Sequence, residues 1–466
     1  MRYIRFVASE FEHGSIIVIS CLGVVLTATI NYTTIGTMTR LAMGPRSCDI
    51  ARTFLSDLRE NSFDGVGVSR ETYGLGETAA MEMLERLAVS EGFEVEWDAA
   101  RNLIIRLPGE ESGLPTVATG SHLDSVPEGG NFDGAAGVIA GFMVLLGLRD
   151  LGRVRRDVEL IALRGEESAW FGGPCYFGSR ALFGKLTDAD LTSPHRDGVR
   201  ILEDCMRASG AEIDPLRAGE ILRSPDCFDS WFELHIEQGP VLIALEKPVG
   251  IVTGIRGNVR HRRVVCRGEA AHSGAVPRWL RHDAVLAMSD LLVRLDEHWR
   301  VLLEWGEDLV LTAGVVETDS NQHAVSRVPG EVTFALEYRS QDLKTLKSFG
   351  ALLRSECDAV GAKRGVTFDL GEPSLTDPAV MSPEIVGMLQ QVCDDNEIAH
   401  EVMPSGAGHD SSVFANAGVA SGMIFVRNAK GSHNPNEAMD MDDFFIATQV
   451  LGDSMLRAAI DDREPA

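Results

Sequence analysis

Thr116-Val-Ala-Thr-Gly-Ser-His122-Leu-Asp124-Ser-Val-Pro-Glu-Gly-Gly-Asn131-Phe-Asp133-Gly-Ala-Ala-Gly-Val-Ile-Ala140 is the stretch around which this chain is organised. An apolar approach (Val117, Ala118) opens into an imidazole, a carboxylate two positions on, and a second carboxylate at 133. His122 and Asp133 are nitrogen and oxygen donors of the kind zinc accepts, and Asp124 can stand behind His122 and fix its ring. Two plainer readings compete. The run can be a solvated loop, and Asp133 can be the N-cap of the helix expected over Gly134 to Leu148, where a carboxylate is favoured.

Composition narrows the choices. With 466 residues, 44% of them hydrophobic, the chain is long enough for two or more domains with sizeable cores. A formal net charge of −26 argues against nucleic acid or an anionic membrane as partner, because both reward Lys and Arg. Eight cysteines without a CxxC pair indicate neither a thiolate zinc knot nor a disulfide framework, and fit a reducing, cytoplasmic compartment. The exception is the segment before residue 45. Gly14 to Thr39 carry no charge and Ile16 to Ile30 are mostly apolar, behind Arg2 and Arg5. The alternatives are an export signal, an anchor, or an upstream start with Met38 or Met43 as the true one. The apolar core is shorter than the ~20 residues a spanning helix needs, and Glu10 and Glu12 spoil a basic flank. Residues 1–44 are therefore expected to be an extension without a targeting role.

Outward from the motif, apolar periodicity predicts helices over Cys48 to Leu58 and Glu77 to Ser90, and strands over Phe93 to Trp97 and Asn102 to Leu107. Asp157 to Leu163 reads as a strand ending in Arg164-Gly-Glu166-Glu167. Ser230 to Ile236 is another, carrying His235 and running into Glu237-Gln238-Gly239. Gly422 to Val426 is a third, leading to Gly431-Ser-His433. Each candidate ligand thus stands at or just past the carboxyl end of a strand, where open α/β sheets place their ligand crevices. Between about 254 and 366 the texture changes: strand 261–268, helix 281–300, strand 309–317, strand 330–339, helix 341–357, strand 364–369. That β-α-β-β-α-β order is ferredoxin-like. The expected architecture is an α/β catalytic domain of residues 45–253 and 367–466, interrupted by an α+β domain of residues 254–366.

Collected, the candidate ligands are His122, Asp133, Glu167, His235 and His433, with Glu166 left over beside Glu167. Five nitrogen and oxygen donors without a cysteine suit two divalent ions sharing one carboxylate. Of two adjacent glutamates, one can face a metal while the other moves protons. The plainer reading of this pair is an exposed acidic loop.

The stretches Gly120-Ser-His-Leu-Asp-Ser-Val-Pro127 to Asn131-Phe-Asp-Gly134, Glu233-Leu-His-Ile-Glu-Gln-Gly-Pro240, Ala270-Ala-His-Ser-Gly274 and Ser405-Gly-Ala-Gly-His-Asp410 resemble the hydantoinase/carbamoylase branch of the metal-dependent aminoacylase and carboxypeptidase superfamily. The resemblance spans nearly all of the chain after residue 45. It implies a two-metal aminopeptidase-like α/β catalytic domain with an inserted lid and dimerisation domain, hence a homodimer. It implies His122, Asp133 and His235 as ligands of one ion and Asp133, Glu167 and His433 as those of the other, with Asp133 as the bridge. The ions would be zinc, with manganese, cobalt or nickel as alternatives. Glu166 resembles the general base, Asp124 the residue that orients His122, and His272 the lid histidine that stabilises the oxyanion, often from the partner subunit; a capping or core histidine is its plainer reading. Arg339 resembles the arginine that takes the substrate carboxylate, a task a planar guanidinium performs through two hydrogen bonds; a surface ion pair is the alternative. Gln238 and the loop from Gly406 to Gly408 would line the pocket.

The chain also departs from that branch. Ser168-Ala-Trp170-Phe171 follows the glutamate pair where Gly-Ser-Arg-Phe is usual, which leaves the ligands intact and reshapes the next loop. Ser326 stands where an asparagine often precedes the lid's Pro-Gly turn, with Asn321 and His323 upstream and His323 as a further candidate contact, and Ser273-Gly-Ala-Val-Pro277 replaces Ala-Gly-Thr-Thr-Pro. The expected activity is hydrolysis of a linear C–N bond in an N-carbamoyl amino acid or related ureido acid. An N-acyl amino acid hydrolase or peptidase, and an allantoate or ureidoglycolate amidohydrolase, are the alternatives. A non-catalytic binding protein of the same fold would have lost a ligand or the base, and none is lost.

Overall fold

The computed structural model describes the backbone of residues 16–21 and 24–29 and the full chain over 40–152 and 154–460. Ile16–Cys21 and Val24–Thr29 pair as an antiparallel ribbon, and the rest of the apolar extension lies outside the described residues. Among the described residues no helix is long and apolar enough to cross a membrane.

A nine-stranded sheet carries the site. Its order is Ala379–Val380, Val249–Ile255, Ser421–Val426, Phe228–Ile236, Thr116–His122, Val158–Leu163, Leu103–Leu107, Glu94–Trp97, with His400–Ser405 alongside Val249–Ile255. Thr116–His122, Val158–Leu163, Phe228–Ile236 and Ser421–Val426 are mutually parallel, so their carboxyl ends open on one edge. Alternate side chains go to opposite faces. Val117, Val158, Leu160, Phe232 and Leu234 join one core with the helices Pro45–Ser62, Ala135–Leu151 and Met441–Ile460. Ala118, Ile161, Leu163 and Trp231 join another with Phe183 and Phe414. Two glycines allow the close layering. A Cβ at Gly137 would fall 2.1 Å from the Leu234 carbonyl oxygen, and one at Gly120 would fall 2.1 Å from that of Ile161.

The second sheet runs Val310–Glu317, Glu331–Ser340, Gly257–Arg267, Thr367–Asp369, all antiparallel, with Ala284–Glu304 and Leu343–Arg364 packed on it around Val264, Leu291, Phe334 and Phe349. This is the ferredoxin-like order expected from the sequence. The fold is therefore an aminopeptidase-like α/β unit with an inserted ferredoxin-like α+β layer.

Several boundaries differ from expectation for local reasons. The helix expected over 341–357 runs Leu343–Arg364, begun by Asp342, whose carboxylate accepts the N–H groups of Lys344 and Thr345, and ended by Gly365 at φ 66°. The inserted sheet's first strand starts at Gly257 rather than 261, directly after the unanticipated strand Val249–Ile255. Asp133 is not the N-cap of the motif helix. Gly134 occupies that place at φ 66°, a left-handed conformation that suits glycine, and the helix is Ala135–Leu151.

Candidate metal centre

All five expected ligands converge on one sheet edge. His122 ends its strand, His235 lies one residue short of the end of its own, and Glu167 and His433 follow theirs in the connecting loops. Donor atoms of His122, Asp133 and His235 lie within 4.8 Å of one another, and so do those of Asp133, Glu167 and His433. Asp133 belongs to both groups. Its Oδ1 is 3.5 Å from His122 Nε2 and 3.1 Å from His235 Nε2, and its Oδ2 is 3.5 Å from His433 Nε2, which in turn is 3.6 Å from Glu167 Oε1. His122, His235, Asp133 and Glu167 are buried, whereas the His433 side chain is about half exposed.

The surroundings fix which atoms face inward. His122 Nδ1 lies 3.1 Å from Asp124 Oδ1, and His235 Nδ1 lies 2.9 Å from the Ile236 carbonyl oxygen. Both partners can only accept when the carboxylate is ionised, so Nδ1 carries the proton and Nε2 presents its lone pair to the cluster. His235 Nε2 accepts the Gly134 N–H at 3.1 Å and also faces Asp133 Oδ1 at 3.1 Å, an approach of two acceptors that a cation or a proton relieves. His122 Nε2 and Glu167 Oε1 are moreover buried without any hydrogen-bond partner. The donor set, its spacing and these orphaned atoms fit divalent metal ions.

Charge at the site is balanced from beneath. Burial lowers the Arg70 guanidinium to about 10 against the pull of Glu437, Asp124, Asp133 and Glu167. Its Nε donates to the Leu123 carbonyl and its Nη1 reaches Asn131 at 3.4 Å, tying the two halves of the motif together. For Glu166, burial is the strongest influence and Glu167, Asp410 and Asp124 add to it. Together they hold its carboxyl well above the usual range despite His122, which lies 3.8 Å away. For His122 burial opposes the charged ring, but Glu166, Asp124 and Asp133 outweigh it and raise the imidazole well above the ordinary range, so Nε2 holds a proton where no ion takes its place.

The other expected residues are placed as follows. Gln238, at φ 61°, donates Nε2 to Asp133 Oδ2 at 2.7 Å. Arg339 reaches from the inserted sheet to the Gly406 carbonyl at 2.8 Å and also pairs with Glu337 at 3.0 Å, so its ion pair and its approach to the loop are both realised. Gly408 presses on Tyr176. His272 is exposed in the short strand Ala271–His272, its Nδ1 accepting the N–H groups of Gly274 and Ala275, and it stands outside the cluster. His323 also stands apart, 2.7 Å from Thr318 Oγ1, and lines a cavity of about 590 Å³ with Arg327 and Glu331.

Other groups at the site have buried contacts that the local sequence does not reveal. Glu437 accepts the N–H groups of Phe132 and Asp133 and the hydroxyl of Ser432, which also binds Asp133. Burial, then Asp133, pushes its carboxyl to about 7. Asp410 accepts from Ser179 at 2.6 Å and is raised to about 7 by burial and Glu233. Asp410 and Glu233 lie within the quoted motifs, so their positions were visible although their buried contacts were not.

Residues 118–457 match the model of peptidase family M20/M25/M40. The chain is 35% identical over 403 residues to the N-carbamoyl-L-amino-acid amidohydrolase of Paenarthrobacter aurescens, covering 85% of this chain and 94% of that one. It is 32% identical over 389 residues to the allantoate amidohydrolase of Escherichia coli (strain K12), covering 83% and 91%. Among solved structures, a hydantoinase/carbamoylase family amidase from Burkholderia multivorans superposes with a TM-score of 0.79 at 27% identity, over 91% of this chain and 99% of that one. A match over this much of the chain, on a sheet edge that gathers the donors of a metal site, has one reading: the chain belongs to peptidase family M20/M25/M40, in its hydantoinase/carbamoylase branch, and is a hydrolase of carbon–nitrogen bonds in linear amides.

Proposed function

We propose that the chain is a binuclear amidohydrolase that cleaves the ureido or carbamoyl C–N bond of a small carboxylate-bearing molecule. The observation that supports this most is Asp133, whose two oxygens face two separate donor sets, His122 with His235 and Glu167 with His433. These residues would hold two divalent ions, zinc before manganese, cobalt or nickel, which would supply Lewis-acid chemistry by acidifying water and polarising the scissile carbonyl. Glu166, whose Oε2 lies 3.8 Å from His122 Nε2, would take a proton from the attacking water and deliver it to the leaving nitrogen. Asp124 keeps His122 oriented, and Gln238 holds Asp133 from the pocket side.

Arg339, anchored beside Gly406, receives the substrate carboxylate through its planar fork. The segment 254–366 acts as a lid and dimerisation domain, its edge strand Val310–Glu317 exposing Val315 and Val316 to a second copy. His272 lies outside the cluster, so its oxyanion role requires lid closure or the partner subunit. We place the enzyme in the cytoplasm.

The test is a panel of N-carbamoyl amino acids, allantoate and ureidoglycolate against N-acetyl amino acids and dipeptides, using the full chain reconstituted with zinc or manganese. Ammonia release from the first group without amino acid release from the second is expected. The reverse pattern would identify an acyl amino acid hydrolase or peptidase and overturn the proposal.

A further inference from the structure

The histidines of the site are aimed in different ways. Nδ1 of His122 meets Asp124 and Nδ1 of His235 meets the Ile236 carbonyl, the usual means of holding a ligating imidazole. Among the described residues the His433 ring takes part in no hydrogen bond, and its side chain is half exposed. Its backbone is left-handed, φ 59°, a conformation that a residue with a side chain keeps only where its surroundings hold it. The aim of His433 therefore comes from the loop that carries it.

That loop, 430–437, is closed at its base by the paired strands Asn428–Ala429 and Ala438–Met439. Two side chains fasten it to the rest of the site. Asn428 donates Nδ2 to the Gly431 carbonyl at 2.7 Å and accepts the Gln238 N–H at 2.9 Å, which joins the loop to the segment after His235. Glu437 joins it to the motif. One of its oxygens accepts the N–H groups of Phe132 and Asp133 at 2.7 and 3.3 Å. The other lies 2.6 Å from Ser432 Oγ, and the same hydroxyl reaches Oδ2 of Asp133. The fit is so close that a Cβ on Gly130 would fall on the Glu437 carboxyl group. Asp133 is shared by both donor groups. One side chain thus fixes the backbone of the shared carboxylate and, through Ser432, the residue next to His433.

We infer that Glu437 is a positioning residue that sets His433 against Asp133. It governs binding of the ion between Asp133, Glu167 and His433, while the ion between His122, Asp133 and His235 is held without it. This rests on the two-ion reading of the site. The bonds involved need the shape of the group at 437 rather than its charge. Glu437→Gln keeps them, because its amide oxygen accepts the two N–H groups and its NH₂ donates to Ser432.

The test titrates the metal-free parent chain, Glu437→Gln, Glu437→Ala and Ser432→Ala with manganese, following the number of ions bound and the electron paramagnetic resonance of the spin-coupled pair. In Glu437→Ala the second ion should bind roughly 10–100-fold more weakly, the usual cost of losing a group behind a metal ligand, with the first close to the parent's. The coupled-pair signal should vanish at manganese levels that fill the parent, and Glu437→Gln should restore it. Ser432→Ala leaves the grip of Glu437 on the motif and should show the same selective loss, so the link is read even where Glu437→Ala does not fold. In the metal-free chains, amide hydrogen exchange over 430–437 should rise in Glu437→Ala and not in Glu437→Gln. Equal weakening of both ions, no weakening, or a Glu437→Gln chain that behaves like Glu437→Ala would overturn the inference while leaving the two-ion site standing. A parent chain that binds fewer than two ions would refute the two-ion reading and this inference with it.

Discussion

Asp124 Oδ1 lies 3.1 Å from Nδ1 of His122. The two oxygens of the same carboxylate also accept the N–H groups of Glu166 and Glu167 at 3.1 Å each, and Oδ2 takes the Thr72 hydroxyl. One buried side chain thus orients a candidate ligand and pins the loop that carries both glutamates. Asp124→Asn would turn an NH₂ toward groups that already donate. Metal affinity should fall roughly 10–100-fold, as it does when a carboxylate behind a ligating histidine is lost. A chelator competition titration measures this, and unchanged affinity would show that Asp124 does not orient the site.

Gly137 sets how closely the motif helix lies on the sheet, because an added Cβ would meet the Leu234 carbonyl and the Ser121 Cβ. Gly137→Ala should cost about 1–3 kcal/mol through overpacking. Gly387, in the helix Pro383–Asp395, has nothing within 4 Å of its would-be Cβ, so Gly387→Ala should be neutral or stabilise by about 0.5–1 kcal/mol. Denaturant titration of the pair checks both signs.

The cap at Asp342 carries a pH dependence. Hydrogen bonds from Thr345 lead the influences that hold its carboxyl below the usual range, against a smaller effect of burial. A lowered native pKa means stability present above the unfolded pKa and lost as pH falls through the native one. Asp342→Ala should therefore cost about 1 kcal/mol at pH 7. The gap between variant and parent should begin to narrow below about pH 4, the unfolded value for aspartate, and close as pH falls through the lower native one. A difference in Tm that shows no narrowing from pH 7 down to about pH 2 would mean that the side chain contributes packing rather than a charged cap.

What could be read from the sequence was whatever a short segment encodes. His122, Asp133, Glu167, His235 and His433 stood out because each follows or ends an apolar strand, and the sheet brings those ends together. The ferredoxin-like order was visible in alternating periodicities. Arg70 and Glu437 were not, because their roles come from burial against residues far along the chain, Leu123 for one and Phe132 and Asp133 for the other. The end of the helix Leu343–Arg364 was set too early although Gly365 marks it, since the apolar pattern weakens before the cap. An N-cap was the plainer alternative for Asp133, because carboxylates favour that position. Only the left-handed Gly134 in the structure shows that the chain turns one residue later and leaves Asp133 to the cluster.

The two halves of the site should separate by mutation. His433 is the most exposed of the five donors and serves only the group with Glu167. His433→Ala should keep close to one ion per chain, whereas Asp133→Asn should lose both ions and the activity. Metal content by mass spectrometry after desalting distinguishes them. Two tightly held ions in a His122→Ala, His433→Ala double variant would refute the ligand assignment.

Glu166 stands 3.8 Å from His122 Nε2 and belongs to neither donor group, so removing its charge should spare the metals. Glu166→Gln keeps the size of the side chain and loses the ability to accept a proton from water. Its kcat should fall roughly 10²–10⁴-fold, the usual contribution of a positioned acid–base group. Metal content and thermal unfolding should match the parent. Because a base must be ionised to act, the parent's kcat/KM should also rise with pH up to the ionisation of the catalytic group. The glutamine variant should lose that limb, its residual rate being flat across it. A variant with normal turnover and two ions would assign the base to another residue, and one that had lost its metals would make Glu166 a ligand instead.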